Sequence, residues 1–218
     1  MTAVIFDLDG TLIDSARDIH AVANKVLTEN GFAPLALLTV TSFVGRGAPH
    51  LMSCLLREIG EDPEGPLRAP MMASFLAHYE TAVDLTVCYP GVMPALEALA
   101  AMGCILGVCT NKPVGPTNAV LRHLGLDRFF STVIGGDSLA VRKPDPAPLH
   151  AAAAALGDSH VIFVGDSEVD AETAANAKLP FLLYTEGYRK TPVHDLPHNV
   201  AFNDFKQLPG LVASLMKG

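Results

Sequence analysis

Val4-Ile5-Phe6-Asp7-Leu8-Asp9-Gly10-Thr11-Leu12 runs from an apolar triplet straight into two carboxylates, a glycine and a hydroxyl. A short apolar run of this kind suits a strand covered on both faces in a parallel sheet. In such sheets ligands gather beyond the carboxyl ends of the strands, where Asp7 and Asp9 fall. Ionised carboxylates at i and i+2 repel each other and are costly near a core unless something positive binds between them. The pair therefore asks for a metal ion, and Gly10 lets backbone N–H groups come close to an anion. The competing reading is a polar strand-to-turn junction whose acids cap backbone N–H groups. One Asp would suit that role; two, with Asp14 close behind, make it the minority option.

Working outward, apolar runs recur at Cys104–Cys109, Val133–Ile134, Val161–Val164 and Phe181–Tyr184. Helix-like stretches lie between them, at Met93–Met102, Pro113–Leu124, Pro146–Leu156 and Ala171–Ala177. This alternation predicts βαβ units and an α/β fold with a parallel sheet. Residues 15 to 84 read differently. Ile19, Val22, Ala23, Val26 and Leu27 follow the spacing of an amphipathic helix that Gly31 can close. Further helices are expected over Pro49–Ile59 and Met71–Val83, and no strand is expected in this segment, which reads as an all-helical insertion. Ser15 with Asp18 is expected to cap the first of these helices.

Three more constellations sit at strand ends. Thr110-Asn111-Lys112 follows the second apolar run, and a hydroxyl with backbone amides at a helix start can hold phosphate oxygens; both residues are equally ordinary helix caps. Lys143-Pro144 offers a compact ammonium suited to drawing a phosphoryl oxygen and a carboxylate together. Gly165-Asp166-Ser167-Glu168-Val169-Asp170 adds two acids four residues apart. Asp166 alone could be an N-cap, but several acids converging on one edge need a cation. Mg²⁺ prefers oxygen ligands and keeps places for water or substrate. No His stands at ligand spacing from a Cys or carboxylate, so zinc is not expected, and His194 and His198, split by Pro197, read as loop residues.

Composition narrows the classes. The formal charge of −8 over 218 residues argues against nucleic acid and acidic membranes, which need clustered Lys and Arg. Half the residues are hydrophobic, enough for a sizeable core. Cys54, Cys88, Cys104 and Cys109 lack CxxC spacing, and Cys104 and Cys109 are expected as buried free thiols in a reducing compartment. With no signal-like start and no spanning apolar run, a cytoplasmic protein is expected.

Asp-x-Asp-Gly-Thr, Thr110, Lys143-Pro144 and Gly-Asp-x-x-x-Asp, in this order, resemble the haloacid dehalogenase superfamily of phosphohydrolases. The resemblance implies a Rossmann-like parallel sheet core, residues 1–14 and 85–218, with an all-helical cap of the four-helix type, residues 15–84, inserted after the first strand. Phe43-Val44-Gly45-Arg46-Gly47, Tyr89-Pro90-Gly91-Val92, Thr110-Asn111-Lys112-Pro113 and Lys143-Pro144-Asp145-Pro146 look most like the bacterial phosphoglycolate phosphatase family. The resemblance implies a Mg²⁺-dependent phosphatase of small phosphate monoesters, 2-phosphoglycolate first, and a sugar-phosphate phosphatase or phosphomutase as the alternative.

It also assigns roles. Asp7 is the expected nucleophile, and Asp9 the acid that protonates the leaving alcohol and then takes a proton from water. The Asp7 side chain, the Asp9 carbonyl and Asp166 are the expected metal ligands, supported by Asp170. Thr110, Asn111, Lys143 and the backbone from Leu8 to Gly10 are expected to hold the phosphoryl group. Arg46, between two glycines, is the cap residue expected to reach the substrate and suits a carboxylate; an exposed flexible loop is the equal alternative. Asp9 disfavours a dehalogenase and a phosphonatase, and the intact set of charged residues disfavours a catalytically silent binding module. Expected partners are a small phosphate monoester, no nucleic acid and no membrane, in a monomer or homodimer. One departure is Lys178-Leu179-Pro180, where many relatives carry a Gly, which puts the geometry of that helix end in question.

Overall fold

The computed structural model describes residues 2–157 and 160–216. Six strands form one sheet: β1 (Thr2–Phe6), β4 (Ile105–Cys109), β5 (Phe130–Ile134), β6 (His160–Gly165), β7 (Phe181–Tyr184) and β8 (Val200–Phe202). Their order is β5-β4-β1-β6-β7-β8, and every pairing is parallel. Two further short strands, β2 (Ile13–Asp14) and β3 (Val87–Cys88), pair antiparallel beside it. The α/β, Rossmann-like architecture expected from the sequence is the one observed.

Side-chain alternation explains why the runs were apolar throughout. Val4 and Phe6 of β1 enter one core with Leu106, Val108, Ile162, Val164 and Leu182. Ala3 and Ile5 enter the other with Val161, Phe163, Phe181 and Leu183. Successive residues point to opposite faces, and each face is covered by helices, so the central residues of these strands are apolar on both sides. The first face is covered by α5 (Val92–Ala101), α6 (Val114–His123) and α9 (Leu208–Leu215), the second by α7 (Ala147–Ala155) and α8 (Glu168–Ala177). Strand β8, helix α9 and the β2–β3 ribbon were not expected; each is too short to show a period.

Between β2 and β3 lie α1 (Ala16–Glu29), α2 (Leu37–Thr41), α3 (Ala48–Glu58) and α4 (Arg68–Tyr79), which bury a third core of their own. The first has the expected stripe, with Ile19, Val22, Ala23, Val26 and Leu27 buried. Gly31, at φ +82°, ends it: its N–H donates to Thr28 O and that of Phe32 to Leu27 O, a Schellman closure. The start departs from expectation. Ser15 makes no side-chain cap bond. Asp18 instead accepts from Leu85 N–H at 3.1 Å and Thr86 Oγ1 at 2.6 Å, tying the two chain crossings together. At the end of α8, Lys178 adopts the left-handed conformation (φ 56°), so the turn made by Gly elsewhere is made here by a residue with a side chain.

Candidate active site

The loops after β1, β4, β5 and β6 bring the charged motifs to one edge of the sheet. Lys143 Nζ lies 2.7 Å from Asp7 Oδ1 and 2.6 Å from Asp170 Oδ1. Asp7, Asp166 and Asp170 present carboxylate oxygens all within 4.8 Å of one another, and all three are buried. Two of the three acids thus share one ammonium, and Asp166 stands beside them without it. Burial lifts the Asp7 carboxyl from 3.8 to about 7, Lys143 opposing that rise and Asp170 adding to it. Burial likewise pushes Asp166 well up, with Asp170 and Asp7 adding repulsion. Burial disfavours the charge on Lys143, but Asp170 and Asp7 outweigh it and hold the ammonium firmly protonated. An all-oxygen donor set with excess buried negative charge fits a hard divalent cation.

The acids are fixed individually. Asp166 accepts from Thr11 Oγ1 at 2.8 Å and from Tyr188 N–H at 2.6 Å. Ser167, not Asp166, caps α8, and Asp170 Oδ2 completes the reciprocal box by accepting from Ser167 N–H and Oγ. The Asp170 carboxylate is therefore committed on both oxygens, one to this cap and one to Lys143. Asp9 is held apart from the cluster: its Oδ1 accepts from Ser15 Oγ at 2.6 Å and from Lys112 Nζ at 3.2 Å. Ser15 thus contacts Asp9 instead of capping its helix.

Two of the expected phosphate-binding residues are otherwise engaged. The Gly10 N–H donates to Ile13 O at 2.8 Å. What the position supplies is space: at φ +91°, an added Cβ would lie 2.6 Å from Asp166 Oδ2. Asn111 donates to Gly45 O and Lys143 O and accepts from Lys143 N–H, each at 3.0 Å. Its side chain joins the loop after β5 to the helical segment and has no donor left for an anion. Thr110 fits expectation better: its Oγ1 accepts from Lys112 N–H at 3.2 Å, leaving the hydroxyl proton available.

Around Asp7 and Asp9 the cleft has two compartments. One is lined by Thr110 and Lys112 with Ile19, Phe43, Val44, Leu51, Phe75 and Tyr79 of the helical segment. The other is lined by Arg46, Asp166, Glu168, Tyr188 and Lys190. Arg46 is exposed at the mouth of this second compartment. Tyr188 ties the metal-binding side to the entry into α1: its hydroxyl donates to Asp14 Oδ1 at 2.7 Å and accepts from the N–H groups of Ser15 and Ala16. Sequence reasoning gave no role to Lys112, Tyr188 or Tyr79. The signal for Lys112 was its place directly after Thr110-Asn111; nothing local marks the two tyrosines.

Cys104 and Cys109 are buried free thiols, and burial pushes Cys109 up to about 12. No helix among the described residues is long and apolar enough to cross a membrane.

The chain is similar to known proteins over nearly its whole length. A phosphoglycolate phosphatase of Rhodobacter capsulatus is 55% identical over 210 residues, covering 96% of each chain. One of Rhodospirillum rubrum is 43% identical over 94% of this chain and 88% of its own. The crystal structure of a predicted phosphoglycolate phosphatase from Haemophilus somnus superposes with a TM-score of 0.89 at 30% identity, over 96% of this chain and 97% of that one. The family model for haloacid dehalogenase-like hydrolases matches residues 1–178. The chain belongs to the haloacid dehalogenase-like hydrolase family.

Proposed function

We propose that the chain is a Mg²⁺-dependent phosphatase of small phosphate monoesters, with 2-phosphoglycolate its substrate. The observation that carries the reaction type is the Asp7–Lys143–Asp170 triad beside Asp166, with Asp9 held separately within the same cleft. The substrate comes from the names of relatives that match nearly the whole chain.

Asp7 attacks phosphorus. Its carboxylate oxygen forms a bond to phosphorus as the bond to the alcohol oxygen breaks, and Asp9 gives that oxygen its proton. Water then attacks the phosphorylated Asp7, losing a proton to Asp9 and releasing phosphate. Lys143 draws Asp7 toward its ionised form against burial and pairs with a phosphoryl oxygen, Asp170 holds the ammonium in place, and Thr110 donates its hydroxyl. Asp7, Asp166 and the Asp9 carbonyl would hold Mg²⁺, which would supply charge neutralisation at the phosphoryl group. Asp170 holds Lys143 and Ser167 beside the site. Residues 15–84 serve as a cap over the core of 1–14 and 85–218, and Arg46 closes the mouth of the cleft.

The test is phosphate release from a panel of monoesters that includes 2-phosphoglycolate and hexose phosphates, with and without chelator. Highest kcat/KM on 2-phosphoglycolate, abolished by chelation and restored by Mg²⁺, is expected. A preference for hexose phosphates would reject the substrate, and activity indifferent to chelation would reject the metal.

A further inference from the structure

Lys112 is a buried cation that the reaction above leaves without a task. It is 5% exposed, yet it lines the compartment shared by Asp9 and the apolar residues of the helical segment. Its Nζ lies 3.2 Å from Asp9 Oδ1, donates to the Tyr79 hydroxyl and stands 4.1 Å from the centre of the Tyr79 ring. An ammonium has three N–H donors, so these two partners leave a third. Tyr79 ends α4, and burial with repulsion from Asp9 and Asp18 holds its hydroxyl protonated, a fixed neutral support for the ammonium.

We propose that Lys112, oriented by Tyr79, is the specificity residue that receives the carboxylate of the leaving group, so that the site selects monoesters of short acidic alcohols. This rests on the proposed phosphatase reaction and deepens it. The alcohol oxygen must lie against Asp9 to take its proton, which puts the substituents of that alcohol beside Lys112 Nζ. In 2-phosphoglycolate one methylene separates the ester oxygen from the carboxylate, a reach that matches an ammonium adjacent to the proton donor. Ile19, Phe43, Leu51 and Phe75 form an apolar wall of the compartment that offers hydroxyl groups no partners, which penalises sugars. Arg46, a second cation near the cleft, is exposed and lines the compartment of Asp166 and Glu168, not the one that Lys112 lines.

The experiment compares kcat/KM for 2-phosphoglycolate with that for ethyl phosphate, the same ester without the carboxylate, in the unmodified enzyme and in Lys112→Gln, Tyr79→Phe and Arg46→Ala. Any effect passing through Asp9 touches both substrates and cancels in the ratio. The ratio is expected to fall roughly 10- to 100-fold in Lys112→Gln, the worth of one hydrogen bond to a charged group. A smaller fall is expected in Tyr79→Phe and none in Arg46→Ala. In the unmodified enzyme, glycolate is expected to inhibit competitively where ethylene glycol does not, a measurement independent of how the variants fold. Equal losses on both substrates in Lys112→Gln, a ratio collapse in Arg46→Ala alone, or equal inhibition by the two alcohols would overturn the assignment. Turnover of ethyl phosphate with none of 2-phosphoglycolate would instead reject the substrate reading itself.

Discussion

Replacing Asp7 with Asn separates the charge of the site from its shape. Asp7 is 7% exposed, and burial lifts its carboxyl from 3.8 to about 7, against the pull of Lys143. The folded pKa therefore lies above the unfolded one, and between those values the folded protein binds the extra proton. For this group stability is fully present below about pH 4 and is lost as the pH rises through 7. A rise of about three units is worth about 4 kcal/mol, and Asn gives up part of that because its neutral oxygen bonds Lys143 more weakly. The metal-free Asn variant should thus be more stable than the unmodified protein by about 1–3 kcal/mol at about pH 8. The gap should narrow as the pH falls and close near pH 4, while turnover is lost at every pH. Urea unfolding in chelator, run at several pH values, measures this. Mg²⁺ should stabilise the unmodified protein more at about pH 8 than at about pH 5.5, since its ligands must shed protons to bind, and should stabilise the variant less. An Asn variant less stable than its parent at about pH 8 would refute the reasoning, because the Lys143 pairing would then outweigh the cost of burying the Asp7 charge.

Two other substitutions test the local geometry. Gly10→Ala should cost about 2–4 kcal/mol, combining a side chain at φ +91° with a Cβ driven against the Asp166 carboxylate, which Thr11 and Tyr188 hold in place; its Mg²⁺ affinity in a calorimetric titration should fall as well. Lys178→Gly should raise stability by about 0.5–1 kcal/mol in urea unfolding with kcat unchanged, since it relieves an exposed left-handed residue at the opposite end of α8 from Asp170.

Much of the sheet was legible because its strands are buried on both faces. Val4–Phe6, Val161–Val164 and Phe181–Tyr184 had to be apolar at every position. β5 was caught only at Val133–Ile134, because its first residues are half-exposed and mixed in character. The ribbon of β2 and β3 has two residues a side and no period to detect. Ser15 and Asp18 matched a capping pattern by spacing alone; in the folded chain each found a stronger partner, Asp9 and Thr86, that local reasoning could not see.

The same division runs through the site. By itself the sequence determined that acids and one lysine would meet at the carboxyl edge of a parallel sheet, because strand polarity alone puts Asp7, Thr110 and Asp166 there. Which of them share a proton, a lysine or a cap was decided by contacts between distant segments. Lys143 reaches Asp7 across 136 positions, and Lys112 reaches Asp9 across 103. Gly10 and Asn111 looked like anion donors in one dimension and proved to be a gap and a clamp in three. A hydrogen-bonding group has few partners, and only the packing of loops and helices against one another says which of them are taken.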